Sequence, residues 1–327
     1  MSNCEWLILY ICTNRDSELF EYMIDNPDYN CFEIEARTLP LSEDKVLDDM
    51  KRIREKGKRA FFRLDDLIFE KNDRPYHRPK KENWRELLDE INKSLCEAGG
   101  ESFLGYFFDE PFYYMTSDEY IELTEYLSHF GKRIFSIHGS VHIHNALWPV
   151  NESHDFKATA FRNMAKITPE NHKYTTDVSY DYYGEWEHGV HHNTVYRLFI
   201  EKMGDRFQNV NFWFTPPVGI VMTDEWTNKP SKEVEQICID VFMGMWNWAK
   251  DIKNFGGFAP YTYYRHITRK GLVHAAAKDY ILPDENGNIK WKNMAAIEQA
   301  VINGFKNGLH PSEIEMPDIE YDKGYIV

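Results

Sequence analysis

Short apolar runs alternate with amphipathic stretches along the whole chain. Each apolar run has the length of a strand, and each amphipathic stretch repeats its apolar positions at helical spacing. The runs are WLILYICTN (6–14), FEIEART (32–38), RAFFRLDDLIF (59–69), FLGYFFDEP (103–111), KRIFSIHGS (132–140), KYTTDVSYDYYG (173–184), NVNFWFTPP (209–217) and GGFAPYTYY (256–264). The first helices run through DSELFEYMI, with Asp16 or Ser17 as N-cap, from near Ser42 to a C-cap at Gly57, and through ENWRELLDEINKSLCEAGG. Next come SDEYIELTEYLSHFG with Ser117 as its N-cap, a helix from Asp155 to Lys166, and helices over 193–204 and 231–253. The last is WKNMAAIEQAVINGFKNG, ending at Gly308.

Strands alternating with helices imply a parallel sheet covered by helices. Eight such repeats are the number that closes a (β/α)8 TIM barrel, and no GxGxxG fingerprint follows the first strand to suggest a doubly wound sheet. Residues 1–308 are expected to form one barrel domain, and 309–327 an acidic surface tail.

Composition narrows the function. Hydrophobic residues are 43% of the 327, enough for a sizeable core. The net charge of −15, from 53 acidic against 38 basic residues, would be repelled by phosphate backbones and anionic lipid, which argues against nucleic acid and membrane as partners. Five scattered cysteines without a CxxC pair suit reduced core thiols, not a disulfide framework or zinc site. The N-terminus has no basic leader, and no segment approaches the ~20 apolar residues of a membrane span, so a cytoplasmic protein is expected.

A barrel of this kind builds its active site from the C-terminal ends of the strands and the loops that follow. Those ends carry Asn14, Arg37, Asp65 with Asp66, Asp109 with Glu110, His138, Asp177 with Asp181, Trp213, and Tyr261 with Tyr263. Alternation along a strand gives Glu33, Glu35 and Arg37 one face, and likewise Arg63 with Asp65 and Asp177 with Asp181. A buried ion network that fills the bore accounts for Glu33, Glu35 and Arg63 at least as well as a functional role.

Asp109 and Glu110 pose a different problem, because consecutive strand residues face opposite ways. Both reach one pocket only if the chain leaves ideal extension there, and Pro111 is expected to confine Glu110 to extended or turn geometry. Burial beneath Phe107 and Phe108 would raise a carboxyl pKa, as a general acid at neutral pH requires.

Two segments carry a resemblance. VSYDYYG (178–184) resembles the Met-x-Tyr-Asp segment of family 18 chitinases, with Val178 in place of methionine, and FFDEP resembles the Asp-Glu pair ending the fourth strand of family 20 hexosaminidases and family 123 enzymes. The resemblance implies a substrate-assisted glycosidase in which the sugar's own acetamido oxygen attacks the anomeric carbon. Glu110 would then be the acid and Asp109 the acetamido-orienting residue, with Tyr180 and Asp181 contacting substrate. The chain departs from the family 18 pattern Asp-x-Asp-x-Glu, since Tyr106 and Phe108 stand at the first two positions, and it lacks a tryptophan on the last strand. A conventional pair, Glu110 as acid with Asp177 or Asp181 as nucleophile or base, stays open; NFWFTPP has no glutamate on the seventh strand.

Aromatic residues are 15% of the chain, and Tyr113, Tyr114, Trp148, Trp186, Trp213 and Trp226 fall at or just beyond strand ends, where rings can stack on sugars. Eight of the 13 histidines lie between His138 and His192. A metal-dependent hydrolase or isomerase using His138, His142, His144 and Asp177 is therefore a rival reading, and a noncatalytic carbohydrate-binding barrel is another. The sequence favours a glycoside hydrolase acting without metal or cofactor on a carbohydrate with N-acetylhexosamine. Glu110, Asp109, Asp177 and Asp181 would be catalytic, and Tyr180, Arg37, Asp65, His138, Trp213 and Tyr261 would bind substrate.

Overall fold

The computed structural model describes residues 7–11, 18–36, 38–70, 78–139, 167–181, 197, 199–215, 231–259 and 281–319. Eight strands follow one another in chain order around a closed barrel, the (β/α)8 fold that the alternation predicts. They are β1 (Leu7–Ile11), β2 (Cys31–Glu35), β3 (Arg59–Arg63), β4 (Phe103–Asp109), β5 (Arg133–Gly139), β6 (Asp177–Asp181), β7 (Asn211–Phe214) and β8 (Phe255–Phe258). Among the described residues the helices include α1 (Glu18–Asp25), α2 (Val46–Glu55), the single turn α3 (Asp65–Ile68), α4 (Trp84–Gly99), α5 (Ser117–Ser128), α6 (Ser231–Ala249) and α7 (Lys292–Lys306), and residues 199–203 are helical within the stretch 193–204 expected to be a helix. None is long and apolar enough to cross a membrane. The helix expected over Asp155 to Lys166 lies outside the described residues.

The described residues divide into two compact units, one running to Phe32 and resuming at Phe214, the other from Glu33 to Trp213. In the first, β1 pairs in parallel with β8, and Phe258 of β8 stacks on Trp246 of α6 and on Phe305 of α7. Residues beyond Gly308 begin docked: His310 donates from Nε2 to the Ile252 carbonyl at 3.0 Å, and Ile314 is buried where Gly304 leaves room for it.

In the second unit β3 pairs with β4, β4 with β5 and β5 with β6, all in parallel. The helices bury the apolar positions at i, i+4 and i+7 that marked them, such as Val46, Met50 and Ile53 of α2 and Trp84, Leu88 and Ile91 of α4. The start of α5 differs from expectation by one residue: Thr116, not Ser117, is the N-cap. Thr116 Oγ1 accepts from the Glu119 N–H while Glu119 accepts from the Thr116 N–H, a reciprocal pair that requires the glutamate three residues after the cap.

Register sorts the strand residues into two faces. Phe61, Phe107, Phe135 and Trp213 meet ring to ring inside the barrel, with centroids 5.0 to 6.2 Å apart. Tyr106, Ser136 and their alternates point outward, where Tyr106 bonds Asn92 of α4 and Ser136 bonds Tyr120 of α5. Gly105 lies just past an irregularity in the β3–β4 pairing, and a Cβ there would meet the Arg133 carbonyl oxygen at 1.9 Å. The close approach of β4 to β5 thus requires glycine.

Candidate functional site

Apart from Tyr261, the residues that follow lie in the second unit. Parallel strands bring their C-terminal ends to one rim, and β3 and β4 end in Arg63 and Asp109. Arg63 donates from Nε to Asp65 Oδ2 at 2.9 Å and from Nη2 to Asp109 Oδ2 at 3.0 Å, so one guanidinium fixes two carboxylates. Tyr114 completes the group by donating its hydroxyl to Asp65 Oδ1.

Burial sets the electrostatics. Asp65 is almost wholly enclosed, and burial lifts its carboxyl to about 6 in spite of Arg63 and Tyr114, which oppose the rise. Burial also works against the charge of Arg63, but Asp109, Asp65 and Glu33 outweigh it and hold the guanidinium well above its ordinary range. Asp109 is the open member, with its side chain 35% exposed and only Oδ2 engaged by Arg63.

Glu110 follows Asp109 in the left-handed backbone region, at φ 47° and ψ 54°, the one non-glycine residue with positive φ among the described residues. Its N–H donates to the Ile137 carbonyl of β5 at 2.9 Å, which ties the strained residue to the rim. The chain therefore does break extension after Asp109, as a shared pocket requires, by a left-handed turn, the second of the extended or turn geometries expected before Pro111. Such a conformation costs on the order of 1–3 kcal/mol in a non-glycine residue and clusters at functional sites. The Glu110 side chain is half-buried.

Several expected site residues stand elsewhere. Asp177 is the first residue of β6, not one near its end, and it stands four positions before Asp181, about 13 Å of strand. It is fully buried and accepts from Arg133 Nε (2.9 Å), Thr176 Oγ1 (2.7 Å), Asn211 Nδ2 (3.1 Å) and Trp213 Nε1 (2.8 Å), as well as from Arg133 Nη2. With both oxygens so occupied, Asp177 anchors the lower barrel and does not join the rim. Trp213 is likewise fully buried, stacked on Phe135, and is core rather than a sugar platform.

His138 and Tyr180 are corrected by the same alternation: both lie on the outer face of their strands. Tyr180 packs on Phe199 and Phe212. His138 stacks on Phe112 and meets His172 with Nε2 to Nε2 at 2.8 Å. His172 Nδ1 donates to the Thr168 carbonyl, so its Nε2 accepts and His138 supplies the proton between them. Burial keeps His172 neutral, at about 4.

Asp65 holds Arg63 and Tyr114 and is too enclosed to meet a sugar as expected. The backbone of Asp181 ends β6 opposite Gly139, and its side chain lies outside the described residues, as do Arg37, Tyr261, His142 and His144. The metal reading loses its described members, since Asp177 faces inward and His138 outward. Among the described residues no three His, Cys, Asp or Glu side chains are arranged to hold a metal ion. Arg63, expected in a buried ion network, holds both carboxylates at the rim, and Tyr114, expected as a ring open to sugar, is buried and bonded to Asp65. Arg63 was marked by its position at a strand end two residues before an aspartate, whereas the reach of Tyr114 back to Asp65 left no local signature.

No protein-family model matches the chain, and no curated protein matches it in sequence. Solved structures do. A calcium-binding mutant of β-glucuronidase 2 from Bacteroides uniformis matches with a TM-score of 0.52 at 10% identity, over 91% of this chain and 34% of that one. An endo-1,4-β-xylanase from Caldicellulosiruptor owensensis matches with a TM-score of 0.51 at 10% identity, over 88% of this chain and 94% of that one. The chain thus spans about a third of the length of the glucuronidase. At this identity the likeness is one of fold, and the fold of this chain is similar to the barrel domains of glycoside hydrolases.

Proposed function

We propose that the protein is a glycoside hydrolase in which Glu110 is the general acid/base and Asp109 its partner, acting on a substrate with an N-acetylhexosamine. The observation that carries the reading is the left-handed backbone of Glu110 at the end of β4, beside a carboxylate clamped by Arg63. A non-glycine residue held there against its preference is accounted for by a task that needs two adjacent acids on one pocket.

Asp109 suits an orienting role. Arg63 holds Oδ2, while Oδ1 has no hydrogen bond among the described residues and the side chain is open to the mouth. Oδ1 would accept from the acetamido N–H and turn the acetamido oxygen toward the anomeric carbon. That oxygen forms a bond to the carbon as Glu110 gives its proton to the departing glycosidic oxygen. Glu110 then takes a proton from the water that opens the cyclic intermediate, and the acetamido group is restored.

The barrel's likeness to a β-glucuronidase and a xylanase supports a second reading, a conventional glycosidase acting on a sugar without the acetamido group. Asp181, at the end of β6, would then be the second carboxyl. A panel of nitrophenyl N-acetylhexosaminides, hexosides, glucuronides and xylosides tests both. Turnover confined to the N-acetylated members supports the first reading, and turnover of the others replaces it with the second. No turnover by folded protein, with sugar binding retained, would return the chain to a noncatalytic binding barrel.

A further inference from the structure

Glu33 sits in the middle of β2 with its side chain wholly inside the protein, and neither carboxyl oxygen makes a hydrogen bond among the described residues. A charged carboxylate in that position would lack both water and donors. The described groups whose charges bear on it are Arg63 from β3, Asp65 from α3, Asp109 from β4 and Glu35 from its own strand. Asp109, Asp65 and Glu33 all act on the one guanidinium of Arg63, and its bonds go to the first two.

We propose that Glu33 is a positioning residue for Asp109: as the neutral acid it leaves Arg63 to Asp109 and Asp65, and once its proton passes to water it competes for that guanidinium and loosens Asp109. β2 lies beside β3 in the barrel, so the buried Glu33, with no donor of its own among the described residues, stands on the strand next to the one whose last residue, Arg63, orients Asp109. Arg63 is also the cation whose charge acts on it. Burial, ahead of the opposing pull of Arg63, lifts the Glu33 carboxyl to about 8, which sets the pH at which the competition begins.

The test is a carbon-13 titration of the side-chain carboxyl carbons in the full chain, with Asp and Glu labelled. The Asp109 signal is expected to inflect where Glu33 titrates, near pH 8, and to lose that inflection in Glu33→Gln. An Asp109 signal that stays flat through the Glu33 titration overturns the proposal, as does a Glu33 that titrates in the ordinary carboxylate range. Should Glu33→Gln not fold, Asp109→Asn serves: freeing Arg63 must move the Glu33 titration down, and an unmoved titration overturns the coupling.

A second arm rests on the glycosidase reading. The wild-type rate is expected to fall about tenfold from pH 7 to pH 9, and the rate of Glu33→Gln less than about twofold. Superimposed profiles overturn the positioning role. An inactive wild type overturns the glycosidase reading alone, and the titration then decides.

Discussion

Arg63 and Asp109 are the last residues of neighbouring parallel strands, and they meet across the rim at 3.0 Å. The bond joins a guanidinium backed by the buried Asp65 to a carboxylate that is a third exposed, so it holds one oxygen of Asp109 and leaves the other open. Asp109 sits on β4 one residue before the strained Glu110, and the Glu110 N–H is fastened to β5. Three adjacent strands thereby fix where the pair of acids stands. Preorganisation of this kind is what a fixed acid requires.

Glu110→Gln keeps the shape of the side chain and removes the transferable proton. Turnover is expected to fall by about 10²–10⁴-fold, with sugar affinity retained, as measured by steady-state hydrolysis and calorimetry on one preparation. Glu110→Gly should be as inactive yet more stable, by about 1 kcal/mol, because glycine adopts the left-handed region without strain. A thermal midpoint that drops in Glu110→Gly would show that the side chain's contacts outweigh the strain.

Arg63→Lys preserves the charge but offers one nitrogen where two separate donors act. Asp65 and Asp109 cannot both be held, and kcat is expected to fall about 10- to 100-fold with a smaller change in KM. Arg63→Ala leaves Asp65 buried without its cation and should destabilise the fold by about 3–5 kcal/mol. Denaturant midpoints and kinetics on the lysine variant separate the two effects.

Much of the fold was legible because periodicity is a local signal. All eight strands appear at or within the apolar runs, and the helices that lie among the described residues follow their apolar spacing, except α3, a turn inside the run read as the third strand. The rim was legible where a strand end was abrupt, as at Asp109 and Glu110. It misled where the strand's limits were drawn too wide. β6 begins at Asp177, so a run taken to start at 173 made an N-terminal anchor look like a residue near the mouth. His138 and Tyr180 were misread for a different reason: alternation is visible in sequence, but which of its two phases faces the bore is fixed only by partners such as Phe135 on one side and Phe112 or Phe199 on the other. The left-handed turn at Glu110 left no trace, because nothing in Asp-Glu-Pro favours it locally.

Asp177→Asn provides the contrast between anchor and catalyst. The change leaves Arg133 without its buried counter-ion, and the fold is expected to lose about 2–4 kcal/mol, read from the denaturant midpoint. The kcat of the folded fraction should stay within about twofold of wild type. A kcat loss of 10²-fold in a variant of unchanged stability would restore Asp177 to the catalytic set.

Glu33 and Asp65 give stability an unusual dependence on pH. Both folded-state carboxyls are lifted by burial, to about 8 from 4.5 and to about 6 from 3.8, so the folded protein binds protons that the unfolded chain has released. Their contribution is therefore complete below the unfolded values and is lost as pH rises through the folded ones. Glu33→Gln carries no proton to lose. Its stability relative to wild type should be nearly constant below pH 4.5 and grow between pH 4.5 and 8, reaching on the order of 3 kcal/mol at pH 7. Asp65→Asn, which surrenders a bond to Arg63, should show the same sign over the lower window from 3.8 to 6 but from a less stable baseline. Chemical denaturation of the three proteins across pH 4 to 9 measures both slopes. A gap between Glu33→Gln and wild type that does not widen with pH would mean that the buried glutamate is charged when the protein is folded, with a donor that lowers it back into the ordinary range.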